Sequence, residues 1–172
     1  MRIISGKIKG RPLHYPKDQH FRPTKNRVRE AVFDIIQSWI QGATVLDLFC
    51  GTGSLGLEAL SRGASHVTFV DLSVTYLKKN VRPNDENISI IQSSAIPWLK
   101  KCHRVFDLIF LDPPWDREDL YEASLKQVLE FDILDPEGTV VCEHFKEMSL
   151  PKLGTQGKRY FYGKSTITLI KK

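Results

Sequence analysis

Apolar and polar positions follow two rhythms in this chain, and the chain alternates between them. Compact apolar runs of strand length occur at TVLDLF (44–49), HVTFVD (66–71), ISIIQ (88–92), FDLIFLD (106–112) and GTVVCEH (138–144). Between them lie segments with helical spacing at 54–63, 73–82, near Pro97 and at 118–130. Gly63 closes the first of these helices and Pro83 the second. Upstream, Val28, Val32, Ile35, Ile36 and Trp39 recur three and four residues apart, predicting an amphipathic helix over 25–40 with Thr24 as its N-cap and Gly42 as its stop. RIISGKIKGRPLHY (2–15) reads as a β-hairpin turning near Lys9-Gly10, and 158–171 as two strands joined at Tyr162-Gly163-Lys164. Apolar strands alternating with helices predict an α/β fold, a doubly wound and mainly parallel sheet, with the last two strands as an antiparallel edge.

In such a sheet ligands bind beyond the carboxyl ends of the strands. Asp47, the loop at Gly51, Asp71, Ser94 and Asp112 all fall at predicted strand ends, so the pattern alone predicts one shared crevice. The loop reads Gly51-x-Gly53-x-x-Gly56, which suits close approach of backbone to a ligand, and Asp71 lies where an acid can take ribose hydroxyls. This spacing also fits a dinucleotide. Asp47 tilts the choice. A carboxylate there repels a pyrophosphate and suits a cationic amino acid group, which favours S-adenosylmethionine over NAD; the competing account is that Asp47 caps a neighbouring backbone amide and Asp71 the next helix.

FLDPPW (110–115) then finds a use. An exocyclic base amine is a poor nucleophile because its lone pair is delocalised into the ring. The Asp112 carboxylate and the Pro113 carbonyl can accept its hydrogens and turn the lone pair toward a methyl group. Pro113 and Pro114 stiffen the arrangement, and Trp115 can stack on a flipped base. The competing account is a strand-ending turn with Trp115 in the core.

Length and charge refine this picture. At 172 residues, 41% apolar, the chain has the size of one domain. No window approaches the ~18 apolar residues of a membrane span. The first residues lack an apolar signal core, so a cytoplasmic location is expected. Cys50, Cys102 and Cys142 lack metal-ligand spacing and read as reduced thiols, at least two of them buried in strands. The five histidines show no metal spacing either. Lys and Arg outnumber Asp and Glu by nine to three in residues 1–41 and five to none in 158–172, while the centre is acidic. The domain thus divides into a basic segment, 1–41, and a core, 42–172. In FRPTKNRVRE (21–30), Arg22, Lys25, Arg27 and Arg29 crowd a helix start. Cations there oppose the helix dipole, so anion binding explains them better than local stability. Arg11 and its neighbours in the hairpin extend the basic surface, and RNA phosphates are the candidate partner.

RIISGKIKGR, RPTKNRVREAVFDII, LDLFCGTGSLGLEALSRGA, DPPW and YGKSTITL together resemble the RsmD family of bacterial 16S ribosomal RNA (guanine-N2)-methyltransferases, nearly end to end. The resemblance implies a Rossmann-like class I methyltransferase with a seven-stranded sheet and helices on both faces. It implies methyl transfer from S-adenosylmethionine to the 2-amino group of a guanine in 16S rRNA of the assembled or assembling small ribosomal subunit, and a monomer is expected. By match of motif Asp47, Gly51, Thr52 and Gly53 line the methionine part of the cofactor. Asp71 and Leu72 take the ribose side, Ser94 and Ala95 the adenine side, and Asp112 to Trp115 the guanine. Arg22, Thr24, Lys25, Arg27 and Arg29 face the RNA. The chain departs from the family pattern in having Ser94 where an acid is common and Trp115 where Tyr or Phe is common. Glu143 matches a family acid. Three alternatives stay open on the residues: methylation of an adenine or cytosine amine, an NAD-dependent dehydrogenase, and a non-catalytic RNA-binding protein.

Overall fold

The computed structural model describes residues 1–17, 26–83, 85–114 and 116–172, with Asn26 by its backbone only. The predicted N-cap Thr24, together with Arg22, Lys25 and Trp115, lies outside the described residues.

Helix α1 (Asn26–Ile36) runs into a 3-10 turn (Gln37–Trp39), and the chain turns at Gly42 into strand β1 (Thr44–Leu48). Then follow α2 (Ser54–Ser61), β2 (His66–Asp71), α3 (Thr75–Asn80), β3 (Ile88–Gln92), α4 (Ala95–Leu99), β4 (Phe106–Leu111), α5 (Asp119–Glu130), β5 (Leu134–Phe145), β6 (Thr155–Tyr162) and β7 (Ser165–Lys171). They form one seven-stranded sheet in the order β3-β2-β1-β4-β5-β7-β6. All pairings through β5 are parallel, and those of β7 with β5 and β6 are antiparallel. This is the Rossmann-like α/β fold that the pattern predicts. The sheet order reverses beside β1: the chain moves outward through β2 and β3, then crosses back to lay β4 on the other side. Open α/β sheets bind ligands at such a reversal.

Side chains alternate between two cores, as period-two strands require. Val45 of β1 with Leu108 and Phe110 of β4 face a layer holding Val28, Val32 and Phe33 of α1 and Leu57 of α2. Leu46 and Leu48 with Ile109 and Leu111 face Leu99 of α4 and Tyr121, Leu125 and Val128 of α5. Phe33 meets Phe110 edge-on, with ring centroids 5.7 Å apart. An aromatic pair of this geometry adds ~1 kcal/mol beyond its buried area and ties α1 to the strand that ends at Asp112.

Three expectations are corrected. The N-terminal hairpin does not form regular strands. A single antiparallel bridge joins Arg2 and Pro12, flanked by Ile3 N–H to Arg11 O (2.9 Å) and Leu13 N–H to Met1 O (3.0 Å). The segment instead hangs on the core. Glu58 accepts the N–H groups of Ile4 (2.7 Å) and Ser5 (2.9 Å), and the Ser61 hydroxyl accepts that of Ile8 (3.1 Å). Strand β5 begins at Leu134 rather than 138, because Asp135-Pro136-Glu137-Gly138 bulges out between pairs Phe106↔Leu134 and Leu108↔Thr139. All three cysteines are free and buried, but only Cys142 lies in a strand; Cys50 sits in the glycine loop and Cys102 after α4.

Candidate active site

β1 delivers the chain into a loop of unusual backbone. Phe49 has φ 64°, Gly51 φ 52° and Gly53 φ 77°. Glycine reaches this region without strain, whereas Phe49 must be held there. Its N–H and that of Cys50 both donate to Val70 O, at 2.9 and 3.2 Å, which docks the loop on the end of β2.

The three glycines serve different ends. A Cβ on Gly56 would lie 2.3 Å from the Phe69 ring, so this glycine lets α2 approach β2. A Cβ on Gly53 would strike Leu77 at 2.4 Å. A Cβ on Gly51 would meet nothing within 4 Å. Only Gly51 thus borders unfilled space, as a cradle for a ligand requires.

Two carboxylates brace this loop. Asp71, closing β2, accepts the Gly51 N–H at 2.8 Å and the Ser73 N–H at 2.9 Å. Asp47 is 2% exposed and accepts the Gly56 N–H at 2.8 Å. Burial raises its pKa from 3.8 to about 7, the Gly56 bond opposing and the Asp71 charge adding to the rise. Near neutral pH this carboxyl stands between its two protonation states, and a cation beside it would ionise it. Burial also pushes the Cys50 thiol upward, with Asp47 and Asp71 adding, which removes it as a nucleophile.

Leu72, next after Asp71, is 71% exposed. Ser94 is exposed before α4, and Ala95 is buried behind it. Asp112 stands one residue past β4, half-buried, with Pro113 buried and Pro114 exposed. Leu48 and Leu111, the last residues of β1 and β4, are register partners, so the turns that begin at Phe49 and at Asp112 leave the sheet side by side; Leu111 is paired on its other side with Cys142, the residue before Glu143. Tyr121 donates its hydroxyl to the Glu143 carbonyl at 2.6 Å, and after burial the Asp112 charge is the largest influence raising its pKa. The glycine loop and the Asp112 turn therefore flank the reversal between β1 and β4.

The basic residues divide. Arg27 is exposed on α1. Arg29 is not available at the surface: it is 0% exposed, donates to Arg2 O, and has its pKa lowered by burial, against the opposing pull of Glu58. Its place in the α1 periodicity turns it inward, where it joins the N-terminal segment to α1 under the influence of the Glu58 charge. Arg11 is half-buried and donates to Asn80 O at 2.6 Å. Sequence reasoning missed Glu58 and Asn80, both buried, because an isolated polar residue on a helix gives no sign of which backbone it will bond.

The family described as "Conserved hypothetical protein 95" matches residues 1–171. The chain belongs to that family. It is the RsmD family of the sequence motifs, and membership makes this chain a methyltransferase that uses S-adenosylmethionine. The chain is similar to "Putative rRNA methyltransferase YlbH" of Bacillus subtilis, 34% identical over 100% of this chain and 99% of the relative. It is 37% identical to "Ribosomal RNA small subunit methyltransferase D" of Haemophilus influenzae, over 87% of this chain and 81% of the relative. Among solved structures, "Putative methyltransferase yhhF" of Escherichia coli superposes with a TM-score of 0.87 at 31% identity, covering 98% of this chain and 96% of that one.

The residues present suit the family's cofactor. Asp47 can balance its positive charge, the open side of Gly51 can admit its methionine part, and exposed Leu72 offers apolar surface beside the Asp71 carboxylate.

Proposed function

We propose that this protein methylates the exocyclic N2 amine of a guanine in 16S rRNA of the small ribosomal subunit. The observation that supports the reading is that Asp112 follows Leu111, the register partner of Leu48, so its turn leaves the sheet beside the strand that runs into the Gly51 loop. S-adenosylmethionine supplies an electrophilic methyl group whose bond electrons return to sulfur on transfer. The chain's own residues handle the acceptor. Asp112 Oδ and the Pro113 carbonyl accept the two hydrogens of the amine, so its lone pair points away from the ring plane. The Asp-Pro-Pro backbone fixes those acceptors, and Trp115 offers an indole face for the base. Once methylated the nitrogen is cationic and acidic, so a weak base suffices to take its proton. Asp112 is that base, or it passes the proton to water.

Residues 1–172 serve as one catalytic domain, with 1–41 toward the RNA. Arg22, Thr24, Lys25 and Arg27 meet phosphates there, and Arg11 and Arg29 support the segment. Ser94 and Ala95 border the adenine, and Thr52 and Gly53 complete the loop around the methionine part. The relatives are named for action on ribosomal RNA, which supports a cytoplasmic protein working on subunit particles; a monomer suffices. The test is transfer of label from methyl-labelled S-adenosylmethionine to small subunits lacking the modification, followed by nucleoside mass spectrometry. N2-methylguanosine at one position is expected. Label in methyladenosine or methylcytosine overturns the guanine assignment.

A further inference from the structure

Asn80 ends α3 at 1% exposure, and nothing in the chemistry above uses it. Its side-chain amide nitrogen donates to His14 O at 2.9 Å and to Thr52 O at 3.0 Å. Its amide oxygen accepts the His14 N–H at 2.6 Å, and its backbone carbonyl takes the Arg11 guanidinium at 2.6 Å. Both N–H donors and the acceptor of one side chain are thus engaged. One end of this bridge is the glycine loop. The other is the N-terminal segment that leads into the basic stretch 21–30.

The Thr52 contact bears on loop geometry. Thr52 O and Gly53 N–H belong to one peptide, and that N–H donates to Cys50 O at 2.7 Å. The peptide is therefore held at both edges, between Thr52 and Gly53, where the positive φ of Gly53 marks backbone freedom that would let it rotate. Remove the Asn80 donor and only the Cys50 bond remains.

We infer that Asn80 is a positioning residue that couples the seating of the N-terminal segment on RNA to the geometry of the cofactor loop, so that RNA and methyl donor bind with positive cooperativity. The inference rests on the function proposed above. RNA seated on the segment bears on His14, His14 shares two backbone hydrogen bonds with the Asn80 amide, and the amide holds the Thr52–Gly53 peptide. Whichever ligand binds first holds the bridge in place for the second. Linkage requires the same factor in both directions, and the usual range begins at about fivefold.

The test uses labelled S-adenosylhomocysteine, which binds without turnover, and small subunits lacking the modification. Equilibrium dialysis measures its affinity with and without saturating particles, and particle affinity is measured with and without saturating S-adenosylhomocysteine. For the wild-type protein both ratios should equal about fivefold or more. Asn80→Asp keeps the acceptor for His14 N–H but sets a carboxylate against two carbonyls, and Asn80→Ala removes the bridge; both ratios should fall to about one. His14→Pro deletes one N–H of the bridge from an exposed position and should lower the ratios without disturbing the core. A wild-type ratio of one overturns the inference. So do variants that lose stability or both affinities while keeping the wild-type ratio, the signature of a merely structural residue. The reading beneath it is checked separately, by whether the wild-type protein labels guanine N2 in the same particles.

Discussion

Asparagine in place of Asp47 should make the protein more stable at neutral pH and worse at binding its cofactor. The native carboxyl titrates at about 7, against 3.8 ordinarily, because burial disfavours its charge. The folded chain therefore holds this proton more tightly than the unfolded chain. The sign follows: below pH 3.8 the group is neutral in both states and neutral to stability, and stability falls as pH rises from there to about 7. At ~1.4 kcal/mol per pH unit the full effect is about 4 kcal/mol, of which about 2 kcal/mol develops between pH 5 and pH 7. Asparagine can still accept the Gly56 N–H, fills the same space and never ionises. Urea unfolding at pH 5, 6, 7 and 8 should show the wild-type free energy falling by about 2 kcal/mol more than that of Asp47→Asn across the first three points. Cofactor affinity should move the other way. The ammonium group of S-adenosylhomocysteine needs the ionised carboxylate, so wild-type affinity for this ligand should weaken about tenfold from pH 8 to pH 6, and the variant should bind weakly at both. Parallel pH slopes for the two proteins would refute the argument, because the buried charge would then have no thermodynamic consequence.

Other expectations are shorter. Asp112→Ala should lower kcat by about 10²–10³, the usual effect of losing one preorganised polar contact, with S-adenosylhomocysteine affinity nearly unchanged in calorimetry. Gly56→Ala places a methyl 2.3 Å from the Phe69 ring and should destabilise by about 1–3 kcal/mol in thermal unfolding, with partial rescue by Phe69→Leu. Glu58→Ala removes the acceptor for Ile4 and Ser5 and the carboxylate that offsets the burial of Arg29. It should cost about 3–5 kcal/mol, and amide exchange at residues 4 and 5 should accelerate. Arg27→Ala should reduce the slope of log affinity for RNA against log salt by about 0.7–0.9.

The sheet was legible because its signal is local: apolar runs bounded by turn residues report strands whatever they pair with, and their alternation with helices restricts the order. The carboxyl-end positions of Asp47, Asp71 and Asp112 followed from that alone. The N-terminal segment turns back on itself as expected but stops short of regular strands, because the N–H groups of Ile4, Ser5 and Ile8 go to Glu58 and Ser61, more than fifty positions away, leaving Ile3, Gly10 and Leu13 to donate across the turn. Arg29 misled for a related reason. A cation at a helix start reads as surface, and only the tertiary placement of Glu58 lets it turn inward. Phe49 gave no sign of its left-handed backbone, since nothing in a bulky residue signals φ near 64°.

The suspension of the N-terminal segment from four side chains, Arg29, Glu58, Ser61 and Asn80, separates two kinds of inheritance. Its own sequence is constrained at few positions: Ile3 and Leu13 are buried in the core and Gly6 lies against Ser61 with no room for a Cβ, while the acceptors it needs stand on α2 and α3 and bond mainly to its backbone. A segment that keeps those three residues can be exchanged for another of equal length with the catalytic crevice left intact. New targets could then arise by grafting at the amino end, without re-evolving the methyl-transfer chemistry.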